Sequence, residues 1–102
     1  MPAYIIVDIE VTDPVRYEQY KQMAPVSIQE YGGRYLVRGG GVKILEGEWP
    51  LKRLVVLEFP DLERAQSWWS SPEYRPARDL RRQTSHCRMI LIEGVPPSFG
   101  PG

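Results

Sequence analysis

The chain opens on a segment in which apolar and polar residues alternate. In residues 3–11 (AYIIVDIEV), Ile5 and Val7 share one face of an extended chain, and Ile6 and Asp8 share the other. The first face is apolar throughout, whereas the second becomes acidic towards its end. This period of two predicts a β-strand that is buried on at least one side.

A helix is predicted to follow, from Pro14 to about Tyr31. Asp13 and Pro14 form a typical helix start, a capping side chain before a proline in the first turn. The apolar face of this helix repeats every three or four residues: Tyr17, Tyr20, Ala24, Ile28 and Tyr31. Pro25 is expected to kink or loosen the helix, and Gly32–Gly33 to end it.

Two further strands are predicted on either side of a glycine-rich connection. Residues 34–38 (RYLVR) form the first, and residues 53–59 (RLVVLEF) form the most apolar strand of the chain. Gly39–Gly41 predicts a turn. Residues 42–46 (VKILE) are expected to extend the first of these strands or to pair with it.

The C-terminal half predicts a broken helix and a last strand. Asp61 is placed to cap a helix that contains the pair Trp68–Trp69. Ser71-Pro72 breaks this helix and can start another, which is expected from about residue 72 to residue 84. Pro76 lies inside this piece and can delay its start. Residues 88–93 (RMILIE) form the final strand.

The order of elements is β-α-β-β-α-β, an α+β pattern. Two helices on one face of a four-stranded antiparallel sheet form the ferredoxin-like arrangement. The other face of the sheet carries apolar residues that no remaining helix covers: Ile6, Leu36, Leu54 and Val56. Because monomers rarely expose such a patch, the pattern predicts a homodimer in which two sheets pack against each other.

Five of the short motifs along the chain carry a resemblance to a known family. They are Asp13-Pro14, Tyr31–Gly40 (YGGRYLVRGG), Leu45–Gly47, Ser71–Tyr74 (SPEY) and Ile92–Gly94. The sequence resembles the DUF1330 family of the dimeric α/β-barrel superfamily. The resemblance implies one domain over residues 1–95, whose dimer closes into a barrel, before a Pro/Gly-rich tail over residues 96–102. It implies no activity, because the family is defined as a domain of unknown function.

Composition and charge narrow the range of functions. The 102 residues hold 13 Lys+Arg and 13 Asp+Glu, so neither nucleic acid nor a membrane is an expected partner. No apolar run approaches the ~20 residues of a membrane span. A single cysteine, Cys87, fits a reducing cytoplasm. A single histidine, His86, has no accompanying ligand set, so no metal site is predicted, and no cofactor is expected.

Three charged residues continue the second face of the sheet. Asp8, Arg38 and Glu58 have the strand phase of its apolar residues, so each is expected to point into the barrel. Such a cluster in a partly dry cavity would hold a small molecule or shift a pKa. The alternative is that the three are structural ion pairs at the rim. Glu46 and Arg53 are expected to pair across neighbouring strands.

Aromatic side chains complete the candidate pocket. Trp68 and Trp69 are adjacent and cannot share a helix face, so one is expected in the core and the other at a pocket or an interface. Tyr74 is a further pocket candidate, whose hydroxyl needs a partner. The alternative is that at least two of these three rings only fill the core.

Two functions stay open from the sequence. The first is a small-molecule binder or enzyme with its site in the barrel, which the inward charges favour. The second is a non-catalytic dimeric module that binds a partner or regulates, which the absence of a strong catalytic motif favours. Arginines recur at helical spacing near the C-terminus, as an anion-binding stripe or a solvated face: Arg75, Arg78 and Arg82.

Overall fold

The computed structural model describes residues 1–96. Apart from Pro96, the predicted tail over residues 96–102 lies outside the described residues. The elements in chain order are β1 (Ala3–Val11), α1 (Pro14–Glu30), β2 (Arg34–Arg38), β3 (Leu54–Phe59), α2 (Leu62–Trp69), α3 (Arg75–Thr84) and β4 (Ser85–Glu93). This order confirms the α+β, ferredoxin-like fold class, with its second helix divided in two.

The four strands form one antiparallel sheet in the order β2-β3-β1-β4. β1 and β3 are therefore central, and β2 and β4 are edge strands. Alternate side chains of the central strands are buried under the helices, as Ile5 and Val7 show in β1. Ile6 and Asp8 point to the opposite side of the sheet, which we call the open face.

Trp68 lies at the centre of the core and is 1% exposed. Its ring centroid lies 4.0 Å from that of Tyr74 and 5.4 Å from that of Phe59. Its indole Nε1 donates a hydrogen bond to Ser27 Oγ at 3.1 Å, which satisfies the one polar group of the ring. The side chain thus joins α2 to α1, to β3 and to the turn before α3.

The first two helices begin as the sequence predicts. Asp13 Oδ1 accepts a hydrogen bond from the backbone N–H of Arg16 at 3.2 Å, and Asp61 Oδ1 accepts one from Arg64 at 2.7 Å. α1 continues through Pro25 as a single helix.

The connection between β2 and β3 corrects one prediction. Residues 42–46 form no strand, because a strand needs a hydrogen-bonding neighbour and no described strand of the chain lies beside them. Their apolar side chains stay exposed, as does Trp49 further along the same connection.

The C-terminal boundaries also differ from the prediction. α3 begins at Arg75 rather than Pro72, because the Ser71 hydroxyl closes a preceding turn and Pro76 fits only the first turn of a helix. β4 begins at Ser85 rather than at residue 88, because it pairs with the full length of β1.

A β-bulge at Leu36 reverses the phase of the rest of β2. The register shifts by one residue there, so that Arg38 lies opposite Val55, whose side chain is buried under the helices. The expectation that Arg38 faces the same side as Asp8 is therefore wrong, because a one-residue shift exchanges the two faces of a strand.

Candidate functional site

A cavity of about 600 Å³ lies between β4 and the helices α2 and α3. Its walls combine apolar side chains of β4, Met89 and Leu91, with Gln66 and Trp69 of α2 and Arg81 of α3. Small-molecule sites in proteins typically measure about 300–1,000 Å³. The cavity is therefore large enough for an organic ligand.

A second, much smaller cavity of about 30 Å³ lies under α1. Tyr17 and Tyr20 of α1 line it together with Arg38 and Arg53 from the sheet side. Arg81 lines both cavities. The smaller space holds little more than one water molecule. The two cavities share Arg81 as a lining residue, and we call them together the cavity region.

A short hydrogen-bond network forms the wall at Arg81. Arg81 Nε donates to the Tyr74 hydroxyl at 3.2 Å, and that hydroxyl lies 2.9 Å from the hydroxyl of Tyr20. Arg81 is only 6% exposed. Within residues 1–96 it forms no ion pair with a carboxylate. A buried guanidinium without a carboxylate partner is unusual, since buried charges are normally paired.

Two more arginines approach this network from the sheet. Arg53 Nη1 donates to the hydroxyl of Tyr17 at 3.3 Å. The guanidinium of Arg38 lies 4.5 Å from the ring centre of Tyr35, and its Nη2 donates to the carbonyl oxygen of Lys21 at 2.8 Å. These contacts place two further cations beside the tyrosines.

Burial keeps several tyrosine hydroxyls and the cysteine thiol of this region protonated. It raises the pKa of Tyr20 well above the usual value, and interactions with Tyr74 add to the rise. Burial is also the main cause of the raised pKa values of Tyr17, Tyr35 and Cys87. These groups are therefore uncharged at neutral pH and supply hydroxyls and a thiol instead of negative charge.

The raised tyrosine pKa values predict a loss of stability at high pH. Tyr20 stays protonated in the folded protein but ionises in the unfolded chain above about pH 10, so alkali favours unfolding. The contribution of Tyr20 to the free energy of unfolding is fully present below about pH 10 and is lost as the pH rises towards the pKa of Tyr20 in the folded protein. Urea denaturation between about pH 8 and about pH 11 measures it. The Tyr20→Phe variant should lose less stability over this range, and equal losses would contradict the prediction.

The predicted charge cluster is divided between the two faces of the sheet. Asp8 and Glu58 lie on the open face, where Arg88 Nη2 pairs with Asp8 Oδ2 at 3.0 Å and Arg34 Nε pairs with Glu58 Oε1 at 2.9 Å. A backbone hydrogen bond from Lys52 is the main cause that lowers the pKa of Asp8. Each acid thus has its own arginine, and neither lies with Arg38.

The described part of the chain does not pair Arg53 with Glu46. Arg53 turns instead to the hydroxyl of Tyr17, and Glu46 is exposed on the connection between β2 and β3. The expected pairing is wrong because residues 42–46 form no strand beside β3.

Two of the three aromatic candidates are core residues. Trp68 is fully packed, and Tyr74 is 0% exposed, so that only the Tyr74 hydroxyl takes part in the polar network. Trp69 is the tryptophan that lines the larger cavity, and it is 37% exposed. The guanidinium of Arg78 lies 5.1 Å from its ring centre.

Sequence reasoning missed four residues of this region. Tyr17 and Tyr20 are predicted on the apolar face of α1, and Arg53 in a cross-strand pair. Either Leu80 or Arg81 is predicted on the inner face of the last helix, with no functional role. For Arg81, the available signal was its position on the helix. Tyr74, Ala77 and Arg81 follow one another at intervals of three and four residues, so the three lie on the same buried face. An arginine on the buried face of a helix indicates a polar site beneath that face.

Two kinds of feature are absent from residues 1–96: a cluster of metal ligands and a membrane-spanning helix. Across residues 1–96, no three side chains of His, Cys, Asp or Glu gather where they could hold a metal ion. None of the helices there combines the length and the apolar character needed to cross a bilayer.

The fold is shared with several solved structures. A protein of unknown function from Rhodopseudomonas palustris has a TM-score of 0.72 and 17% identity, over 94% of this chain and 84% of that chain. The cofactor-independent oxygenase SnoaB from Streptomyces nogalater has a TM-score of 0.63 and 13% identity, over 95% and 96%. A dimeric ferredoxin-like protein of unknown function from Jannaschia sp. CCS1 has a TM-score of 0.63 and 12% identity, over 92% and 100%.

Identities this low show a common fold and no more.

No curated protein matches the sequence. The family described as "Domain of unknown function (DUF1330)" matches residues 2–95, nearly the whole of the described chain. The motifs from Asp13-Pro14 to Ile92–Gly94 lie within this match. The chain therefore belongs to the DUF1330 family.

Proposed function

We propose that the protein binds or converts a small molecule in the cavity between β4, α2 and α3. The observation that carries the proposal is Arg81 at the inner wall of the cavity. Behind this wall, the Tyr74 hydroxyl, which is bonded to that of Tyr20, holds the guanidinium in place. Ligand sites combine apolar walls with a few converging polar groups, and Met89, Leu91 and Arg81 supply both.

The proposal is consistent with the description of one protein of the same fold. SnoaB has the same fold and is a cofactor-independent oxygenase. The hydroxyls of Tyr20 and Tyr74 lie 2.9 Å apart, and that of Tyr74 accepts a hydrogen bond from Arg81, so the network fixes the guanidinium at the cavity wall. In this proposal Arg38, Trp68 and Tyr74 belong to the ligand region or its support, and Asp8 and Glu58 belong to the open face.

The functional unit in this proposal is a cytoplasmic homodimer. The relative from Jannaschia sp. CCS1 is dimeric. The apolar residues of the open face and of residues 42–46 have no cover within the described chain, and a second copy would bury both. A reducing compartment fits the single cysteine of the sequence.

Blocking the cavity tests the proposed site. Gln66 is exposed at the cavity wall, so Gln66→Trp should fill the space without disturbing the core. Native mass spectrometry of protein purified without added ligand is expected to show a bound small molecule, and Gln66→Trp should lose it.

A matched control stands one residue along the same helix. Ser67 is exposed and does not line this cavity, so Ser67→Trp should keep the bound molecule. If both variants retain the bound molecule equally, the site lies elsewhere in the protein. Absence of a bound molecule from the wild-type protein, together with no binding in a screen of small molecules, would reject the proposal.

A non-catalytic dimeric module is the second candidate. The observation in its favour is that Asp8 and Glu58 are each paired within the chain, so the open face offers paired charges and an apolar surface for contact. This candidate predicts a dimer that binds no small molecule, and the same mass spectrometry distinguishes it from the first.

A further inference from the structure

The cavity region differs from the rest of the molecule in the sign of its charge. The whole chain holds 13 Lys+Arg and 13 Asp+Glu and is formally neutral. Within residues 1–96, no Asp or Glu lines either the larger or the smaller cavity. The lining residues that carry a full charge at neutral pH are all cations: Lys21, Arg38, Arg53, Arg81 and Arg82.

Lys21 pairs with Glu18 at 3.1 Å, but two acids of the sheet face away from the arginines of the cavity region. Asp8 and Glu58 pair with Arg88 and Arg34 on the open face. The hydroxyls and the thiol of the cavity region hold their protons, since burial raises their pKa values. Within residues 1–96, no carboxylate pairs with the four arginines of the region: Arg38, Arg53, Arg81 and Arg82.

Arg81 is the cation with the strongest need of an anion. It is 94% buried, because its exposed fraction is 6%, and it lies at the wall of the larger cavity. A guanidinium has five N–H donors in a planar fork. In the described chain, the hydrogen bond from Nε to Tyr74 is the one contact that its side chain makes with an oxygen acceptor. The terminal amino groups make no hydrogen bond to an oxygen in the described chain, although the Cys87 thiol lies within hydrogen-bonding reach of the guanidinium. A carboxylate fits such a fork with two parallel hydrogen bonds.

We propose that the ligand of this cavity is a small organic anion, a carboxylate attached to an apolar body. The carboxylate binds the terminal amino groups of Arg81, and the apolar body packs against Trp69, Met89 and Leu91. This inference rests on the proposed function, because it names the chemical class of the ligand of the same cavity. Burial of the pair excludes water and strengthens the attraction between the two charges.

A matched pair of probes separates charge from shape. Naphthoate and naphthamide have nearly the same size and apolar ring system, but only naphthoate carries a negative charge. Their affinities are to be measured by isothermal titration calorimetry for the wild-type protein, for Arg81→Met and for Arg75→Met. Arg75 is exposed on the same helix and lines neither cavity, so Arg75→Met changes the net charge equally without touching the site.

The wild-type protein is expected to bind naphthoate at least about 10-fold more tightly than naphthamide, as a charge-assisted hydrogen bond requires. Arg81→Met should remove this preference and leave the affinity for naphthamide unchanged. Arg75→Met should keep the preference. If Arg81→Met fails to fold, Arg81→Lys keeps the charge but loses the fork. It should then weaken naphthoate binding and leave naphthamide binding as it is.

The other outcomes separate the two proposals. Equal affinity of the wild-type protein for both probes would overturn the anion inference and leave the small-molecule site intact. Equal weakening of both probes by the Arg81 variant would also overturn it, since Arg81 would then act on shape alone. Binding of neither probe at millimolar concentration would overturn the inference, whereas the proposed function would be judged by its own cavity-blocking experiment.

Discussion

Replacement of Trp68 by alanine is expected to lower the free energy of unfolding by about 3–5 kcal/mol. The side chain is 1% exposed and packs against the rings of Tyr74 and Phe59. Its removal leaves a cavity where two helices and the sheet meet, and it leaves the Ser27 hydroxyl without the indole donor. Because small domains have a total stability of only about 5–15 kcal/mol, the variant should be close to unfolding at room temperature.

The adjacent tryptophan provides the control for this prediction. Trp69 is 37% exposed, and Arg78 and Arg82 lie against its ring. Trp69→Ala should therefore cost less than about 1 kcal/mol, as is usual for surface positions. Urea denaturation of both variants, followed by circular dichroism, gives the two values. Equal losses of stability would contradict the assignment of Trp68 as the anchor of the core.

Most of the fold could be predicted because its local signals agree with one another. The alternation in residues 3–11, the capping residues Asp13 and Asp61, and the apolar run at residues 54–57 each have a single favourable interpretation. Residues 42–46 show the limit of this reasoning. Their alternation indicates a strand, but a strand also needs a neighbour, and no local pattern tells whether a neighbour is present.

The candidate site was harder to predict, for two physical reasons. A bulge at Leu36 changes which side of the sheet Arg38 faces, and the sequence of β2 carries no glycine or proline that would indicate it. Arg81 is one of two residues predicted for the inner face of the last helix, with Leu80 as the alternative, but this position alone does not indicate a cavity beside it. Its neighbour Arg82 is exposed, so two adjacent arginines have opposite environments that only their phase on α3 distinguishes.

The open face is where a second copy of the chain is expected to bind. A row of apolar side chains crosses all four strands through direct cross-strand pairs: Val37, Val56, Ile6 and Ile90. One ion pair flanks this row on each side, Arg34 with Glu58 and Arg88 with Asp8. An apolar centre with a polar rim is the usual composition of a protein interface, so the face suits the dimer that we propose.

Ile90→Asp is expected to convert this dimer into a monomer at micromolar concentration. Ile90 lies on the edge strand and is 58% exposed within a single chain, so a charge there is tolerated by the monomer. In a dimer the same charge would be buried among apolar residues without a partner, which is strongly unfavourable. The mass measured by light scattering after size exclusion should fall by half.

Val15→Asp serves as the control, because Val15 is 83% exposed on α1, on the other side of the sheet. A wild-type monomer, or a dimer that survives Ile90→Asp, would show that the open face has another role.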